Sequence, residues 1–341
     1  MELGLAIAVI VVALGFDFTN GFHDAANAIA TSVSTRALKP RQAMAMAAVM
    51  NVVGALLGTA VAKTIAADMV DLTDLGSIQQ LDIVLAALVG AIMWNIITWW
   101  FGLPSSSTHA IVGGLVGAGT SAMLLAQDTH VKWEKILDKV LEPMVLSPLV
   151  GFTLAYIVMI GFEWWLRNKN PDMIFKRFRF AQIFSSAALA MGHGLQDAQK
   201  SMGLIFMACG ATGLLGVQHG DENIPIEIIL MCAITIGAGT FTGGKRIMKT
   251  LGSKVIDINP PRAFAAEIVS ASVLYVTAFF AKAPISTTHT VTSSILGSGA
   301  TKSIRSVRWS VAKSIVTAWV LTLPAAATLG FVAHQIVVHL L

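Results

Sequence analysis

The segment Pro104-Ser105-Ser106-Ser107-Thr108-His109 returns 180 residues later as Pro284-Ile285-Ser286-Thr287-Thr288-His289. Extended through Gly119 and Gly299, the two stretches share six identities in sixteen positions, one each of Pro, Ser, Thr and His and two of Gly. That is far more than chance aligns, so the chain carries a duplication. A weaker echo relates Gly21-Phe22-His23-Asp24-Ala25 to Gly194-Leu195-Gln196-Asp197-Ala198, 173 residues apart and in the same order within each half. The near-equal offsets divide the chain into a first membrane repeat at 1–166, a connecting loop at 167–180 and a second repeat at 181–341.

The solvent of these repeats follows from composition. Of 341 residues, 55% are hydrophobic and 12% charged, about half the charged share of a soluble domain. Most of the chain therefore faces lipid. The mean hydropathy of +0.73 and the 29 glycines suit membrane helices, which use small residues where backbones approach closely. Cys209 and Cys232 lie in apolar stretches without metal or disulfide spacing and read as packing residues. The pI near 9.1 does not point to nucleic acid, because the basic residues sit in short loops between apolar runs, where they set topology. No basic n-region or A-x-A-like site precedes Asp17, so the N-terminus does not read as a cleavable signal.

Apolar runs near 42–62, 81–103, 104–126, 144–166, 226–244, 263–283, 284–300 and 311–338 approach or exceed the roughly 20 residues that cross a bilayer. Two longer regions, 3–36 and 181–215, are interrupted by polar clusters at Asn20–Asn27 and His193–Ser201. An unbroken helix over 34 residues would run roughly 51 Å against a hydrocarbon core of about 30 Å, so both regions read as broken spans. Loops 36–41, 167–179, 245–262 and 302–313 hold 3, 5, 5 and 4 Lys or Arg, and loops 63–82, 127–142 and 217–227 hold 1, 3 and 0. With the first set cytoplasmic, ten spans alternate and both termini lie outside; the rival splits 3–36 into two full spans and places the N-terminus inside. In the ten-span arrangement the duplicated motifs run in opposite directions. The expected fold is an all-α polytopic membrane protein of about ten spans, in two inverted-topology repeats with broken helices or re-entrant hairpins. That is a layout of secondary transporters, whose sites lie near the midplane between repeats.

A carboxylate inside a membrane costs at least ~2.5 kcal/mol, which makes the paired Asp24 and Asp197 candidates for holding a cation or proton. Asp17 reads instead as a residue near the mouth of the first segment. The hydroxyls Ser105–Thr108 and Ser286–Thr288 each follow a proline, as at helix starts whose free N–H groups and dipole favour an anion. Ser106, Ser107, Thr108, Ser286, Thr287 and Thr288 are thus candidate oxyanion ligands. Asn27 and Gln199 offer amide donors or carbonyl ligands, and Lys200 pairs with an acid or with the anion. His23 and His193 flank the Asp clusters and are candidates for titration, whereas His109 and His289 read as hydrogen-bonded structural residues. Glu267 lies within an apolar span. Trp94, Trp99, Trp100, Trp164 and Trp165 sit near span ends, as interfacial belts do. No GxxxxGK[ST] pattern occurs, the Thr240-Phe241-Thr242-Gly243-Gly244-Lys245 turn being only superficially similar, so transport runs on an ion gradient or downhill.

The stretch Asn20-Gly21-Phe22-His23-Asp24-Ala25-Ala26-Asn27-Ala28-Ile29-Ala30 resembles the first signature of the PiT inorganic phosphate transporter family. His193-Gly194-Leu195-Gln196-Asp197-Ala198-Gln199-Lys200-Ser201-Met202-Gly203 resembles its second-half partner. The segments Thr98–Ala110 and Pro284–His289 are similar to the paired Ser/Thr motifs. The resemblance implies a multi-pass cell-membrane phosphate symporter with the matching Asp, Asn, Ser and Thr positions lining substrate and cation sites, and with Glu267 similar to an intramembrane Glu of the family. Many sodium-coupled members carry GAND where this chain has Gly21-Phe22-His23-Asp24, and Ala-Asn where it has Gln199-Lys200. These departures resemble the bacterial low-affinity type, which implies proton coupling, with sodium as the alternative, and carriage of a neutral metal-phosphate complex. The chain also lacks the long central loop of animal members, which implies a bacterial or archaeal origin. The expected partners are inorganic phosphate, H+ or Na+ as coupling ion, and the lipid bilayer, with no nucleic acid, no organic cofactor, no assigned metal and no enzymatic activity. The oligomeric state stays open, a homo-oligomer included. The residues alone leave two alternatives standing, a sulfate or other small-oxyanion permease and a passive anion channel.

Overall fold

A computed structural model describes residues 2–72, 75–127, 129–218, 221 and 223–340. The side chain of Lys245 and the loop acids Asp74, Asp128 and Glu222 lie outside the described residues. Helix α1 (Glu2–Ser34) is followed by α2 (Pro40–Ala55), α3 (Ala60–Asp68), α4 (Ser77–Phe101) and α5 (Ser107–Leu124). A short α6 (Trp133–Ile136) leads through a π turn into α7 (Glu142–Leu166). The second half holds α8 (Pro171–Thr212), α9 (Ile226–Thr242), α10 (Lys245–Lys249), α11 (Pro260–Val276), α12 (Thr287–Ala300) and α13 (Trp309–Leu340). Strands β1 (Val70–Asp71) and β2 (His130–Val131) pair antiparallel, with Val70 opposite Val131.

Local chemistry sets the helix ends. Pro40, Pro171 and Pro260 stand at the first position of α2, α8 and α11, where the missing N–H loses no bond. Asn170 and Asn259 accept from the N–H groups of Asp172 and Arg262 as N-caps. At the end of α4, Gly102 takes φ +66°, the left-handed cap that glycine accepts without strain.

The expected interruptions at 3–36 and 181–215 are absent: α1 and α8 are continuous helices of 33 and 42 residues. The hydrocarbon thickness bounds the apolar stretch of a helix, not the helix itself. The first turns of α8 carry Asp172, Lys176, Arg177 and Arg179 and extend it beyond any apolar layer. The polar clusters do not break the backbone because the bonds their side chains make run mainly to other helices and not to their own backbone. The opposite correction applies to 42–62, where α2 stops at Ala55 and α3 restarts at Ala60. The breaks before Ser107 and Thr287 fall where Pro104 and Pro284 stand.

Among the described residues, five helical stretches are long and apolar enough to cross a membrane: Glu2–Ser34, Ser77–Phe101, Trp133–Leu166, Pro260–Ala281 and Trp309–Leu340. A sixth arises if Ile226–Thr242 and Arg246–Lys254, bent by 61°, count as one. The chain is thus an all-α, multi-pass membrane protein. Its packing repeats when the halves are exchanged. Helix α1 lies on α9 and α8 lies on α2, while α13 covers α4 and α5 and α7 covers α11 and α12. Matching glycines make the first pair of contacts close. A Cβ on Gly21 would stand 2.5 Å from Ile236 O of α9, and one on Gly194 would stand 2.2 Å from Asn51 O of α2.

Candidate functional site: two helix tips over a buried carboxylate pair

The tips of α5 and α12 meet inside the protein. Ser106 caps α5 by accepting from His109 N at 3.2 Å, and Ser286 caps α12 by accepting from His289 N at 3.1 Å. The rings of His109 and His289 meet edge to face with centroids 4.8 Å apart, and Thr108 donates to Ile285 O at 3.1 Å. His289 stacks on Trp319, whose indole N–H donates to Pro104 O at 3.0 Å. Two positive dipole ends therefore point into one volume.

Asp24 of α1 and Asp197 of α8 lie against these tips, both fully buried. Lys200 pairs with Asp197 Oδ1 at 2.9 Å and donates to Ser107 Oγ at 2.7 Å. Ser107 has one hydroxyl proton and donates it to Asp24 Oδ2 at 3.0 Å. A parallel chain runs from Asn27 Nδ2 to Thr288 Oγ1 at 2.8 Å and from that hydroxyl to Asp24 Oδ1 at 3.2 Å. Asn27 and Lys200 each stand three residues after their aspartate, and each reaches the helix tip of the other half. The halves are cross-linked at the site.

The histidines hold the carboxylates. His23 Nδ1 meets Asp24 Oδ1 at 2.8 Å, and His193 Nε2 stands 3.2 Å from Asp197 Oδ2. His23 Nε2 touches Thr98 Oγ1 at 3.2 Å and Ser105 Oγ at 3.4 Å, while His193 Nδ1 meets Asn51 Oδ1 at 3.0 Å. Asn51 donates onward to Thr240 at 2.7 Å, and Asn20 Nδ2 donates to Asp197 Oδ2 at 3.1 Å. Asp24, His193 and Asp197 bring one ligand atom each within 4.8 Å of one another. The Lys200 ammonium already supplies positive charge there, and we assign no metal ion to it. All these side chains are buried, so the cluster is sealed from water in this conformation.

Three expectations change. Gln199 does not face the cluster: its Oε1 accepts from Val61 N at 2.7 Å and Ala62 N at 3.1 Å, and its Nε2 donates to Leu195 O at 2.6 Å. It serves as the N-terminal cap of α3, because the break after Ala55 leaves those N–H groups without helical partners. Glu267 belongs to a separate cluster, accepting from Thr31 at 2.6 Å, from Gln182 at 3.0 Å and from Ser185. Thr31 lies seven residues beyond Asp24 on α1, about 10 Å along the axis. Asp17 is no mouth residue: it is fully buried and both carboxylate oxygens lack a hydrogen-bond partner. Thr287 is buried at the first position of α12. Asn20, Asn51 and Thr98 were not named one by one as ligands, although a polar residue within an apolar run marks each of them; Ser105 stood within the Ser105–Thr108 hydroxyl cluster.

Interlocked halves, opposed helix tips and a sealed charge cluster define a multi-pass membrane protein built around buried charges. A model of the phosphate transporter family matches residues 20–330, and the chain belongs to that family. It is 44% identical over 335 residues, 97% of each chain, to a Bacillus subtilis (strain 168) protein named "Probable low-affinity inorganic phosphate transporter". A Mycobacterium leprae protein of the same name is 43% identical over all of this chain and 80% of its own. A solved structure titled "The sodium-dependent phosphate transporter" superposes with a TM-score of 0.84 at 25% identity, covering 99% of this chain and 100% of that one.

Proposed function

We propose that this chain carries inorganic phosphate across the cell membrane in symport with H+ or Na+, by alternating access between two inverted repeats. The observation that carries the reading is the convergence of the α5 and α12 tips on the Asp24–Asp197 pair. Helix N-termini favour an anion and buried carboxylates favour a cation. A site holding both charges is nearer neutrality than one holding either, so loading of one raises affinity for the other.

Ser107, Thr108, Thr287 and Thr288 would supply hydroxyl donors to phosphate, with Asn27 and Lys200 behind them. Ser106 and Ser286 hold the two tips in shape. Asp24 and Asp197, steadied by His23 and His193, carry the cation side, with Lys200 as a tethered positive charge on the second. Glu267, held by hydroxyl and amide donors, is a further proton or cation station. The exchange-symmetric packing supports repeats at 1–166 and 181–341 joined through 167–180, and the Lys/Arg-rich loops support their inversion across ten crossings. Because every site residue is buried, either opening requires the tips to separate from α1 or α8.

The test is uptake of labelled phosphate into proteoliposomes with a pH or a sodium gradient imposed separately. Gradient-dependent accumulation under one of them is expected; none under either overturns the reading. Excess sulfate in the same assay separates phosphate from other oxyanions, and added Mg2+ separates free phosphate from a metal complex.

A further inference from the structure

Asp17 takes no part in the network just described, yet it is fully buried in the middle of α1. Neither of its oxygens has a donor. Two other orphan groups stand beside it. Asn20, one turn further along α1, spends its amide N–H on Asp197 at 3.1 Å and leaves Oδ1 unpartnered. Ser201 of α8 is also buried with an unpartnered hydroxyl, and it stands beside Asp17 as a side-chain hydrogen-bonding group. The charged groups that Asp17 feels are Lys200 and Asp197 from α8, and the Cys232 thiol faces it from α9.

The orphan atoms share one deficiency. A carboxylate and an amide oxygen are acceptors only, and a serine hydroxyl brings a single hydrogen. Three buried acceptor groups with so few donors cost several kcal/mol if the carboxylate is bare. One added positive hydrogen removes the deficit: a carboxyl O–H on Asp17 donates to Ser201 Oγ or Asn20 Oδ1, and the Ser201 hydroxyl is freed to donate in turn. A sodium ion would neutralise the carboxylate equally but must gather several oxygens around itself, whereas a proton needs one acceptor beside Asp17, which Ser201 Oγ or Asn20 Oδ1 supplies. The position also suits communication with the substrate site, because Asn20 holds Asp197, Asp197 holds Lys200, and Lys200 holds Ser107 at the α5 tip.

We propose that Asp17, with Asn20 Oδ1 and Ser201 Oγ as its partners, is a proton-binding site that loads and empties once per transport cycle. Proton arrival neutralises Asp17, while departure leaves a carboxylate that competes with Asp197 for the Lys200 ammonium. The bond formed and broken is the carboxyl O–H alone, and water on either side of the membrane supplies and accepts the proton. This inference rests on the symport reading above. Its test is arranged so that the two fail separately.

Wild-type protein in proteoliposomes is first assayed for accumulation under an imposed pH gradient and for phosphate–phosphate exchange at equal pH. If it exchanges phosphate but a pH gradient drives no accumulation, proton loading is overturned while phosphate carriage stands. If it does neither, the symport reading falls. In Asp17→Asn, exchange should stay within about threefold of wild type and pH-driven accumulation should fall at least tenfold. Wild-type accumulation in Asp17→Asn overturns the proposal, as does a loss confined to accumulation driven by sodium. Should that variant fail to fold, Ser201→Ala decides. Removing the hydroxyl takes away a partner of the Asp17 proton, so the pH profile of driven uptake shifts with exchange unaltered. An unmoved profile overturns the proposal.

Discussion

The ion pair between Lys200 and Asp197 offers the sharpest test of how the centre is held. The two side chains are 1% and 0% exposed, so the weak energetics of surface pairs do not apply. At 2.9 Å and an effective dielectric of about 20, their gross attraction is about 6 kcal/mol, much of it offset by the loss of water around both ions. Lys200→Met removes the charge while keeping a similar stem length, and leaves Asp197 with Asn20, His193 and a long contact from Ser107 Oγ at 3.4 Å. Breaking one side of a buried pair costs about 3–5 kcal/mol. Replacing both sides, as in Lys200→Met with Asp197→Asn, leaves no bare charge, so the double variant should regain most of that loss. Unfolding by denaturant in one fixed mixed micelle, followed by tryptophan fluorescence, measures both. Phosphate uptake should be lost in both, since the tethered charge is gone from each. A loss under about 1 kcal/mol for the single variant, or a double variant no more stable than the single, would refute the assignment of Lys200 as the counter-charge that holds Asp197.

Ser107→Ala removes the hydroxyl that joins Lys200 to Asp24, at a cost of about 1–3 kcal/mol for the groups left unpaired; phosphate uptake should fall at least tenfold, and near-normal uptake would exclude it from the site. Gln199→Leu unhooks the first turn of α3 and should cost about 1–3 kcal/mol while leaving the KM for phosphate unchanged; a raised KM would return Gln199 to the substrate site. Gly117→Val places a Cβ 1.9 Å from Ala327 O at the contact of α5 with α13, whereas Gly161 has nothing within 4 Å of its Cβ position. Gly117→Val should therefore abolish folded protein in size-exclusion chromatography, and Gly161→Ala should elute as wild type.

Much of the site was legible in the linear chain because its chemistry is costly where it stands. Asp24, Asp197 and Lys200 announce themselves as charges inside apolar runs, and Ser107, Thr108, Thr287 and Thr288 as hydroxyls at a duplicated proline break. Duplication also ties the halves together, since residues copied at one offset fold into matching places. Asp17 and Gln199 were misread for a common reason. The position of a residue within an apolar run does not tell which helix faces it: Asp17 is buried against α8, and Gln199 takes its role from the start of α3, far away in the chain.

Helix continuity followed the same division. Polar clusters at 20–27 and 193–201 break an isolated helix only if their side chains compete with the backbone; here Asn51, Thr98 and Ser107 on other helices engage His193, His23 and Asp24, so α1 and α8 run unbroken. The amino-acid sequence by itself determined that this protein lives in lipid, carries paired motifs in its two halves, and buries acids, hydroxyls and one lysine that lipid alone could not tolerate. Only the tertiary structure decided that the α5 and α12 tips converge on one carboxylate pair, that Lys200 serves Asp197, and that Asp17 is left without a donor. Those facts depend on distances between segments up to 264 residues apart, which are fixed by helix packing and not by any local preference of the chain.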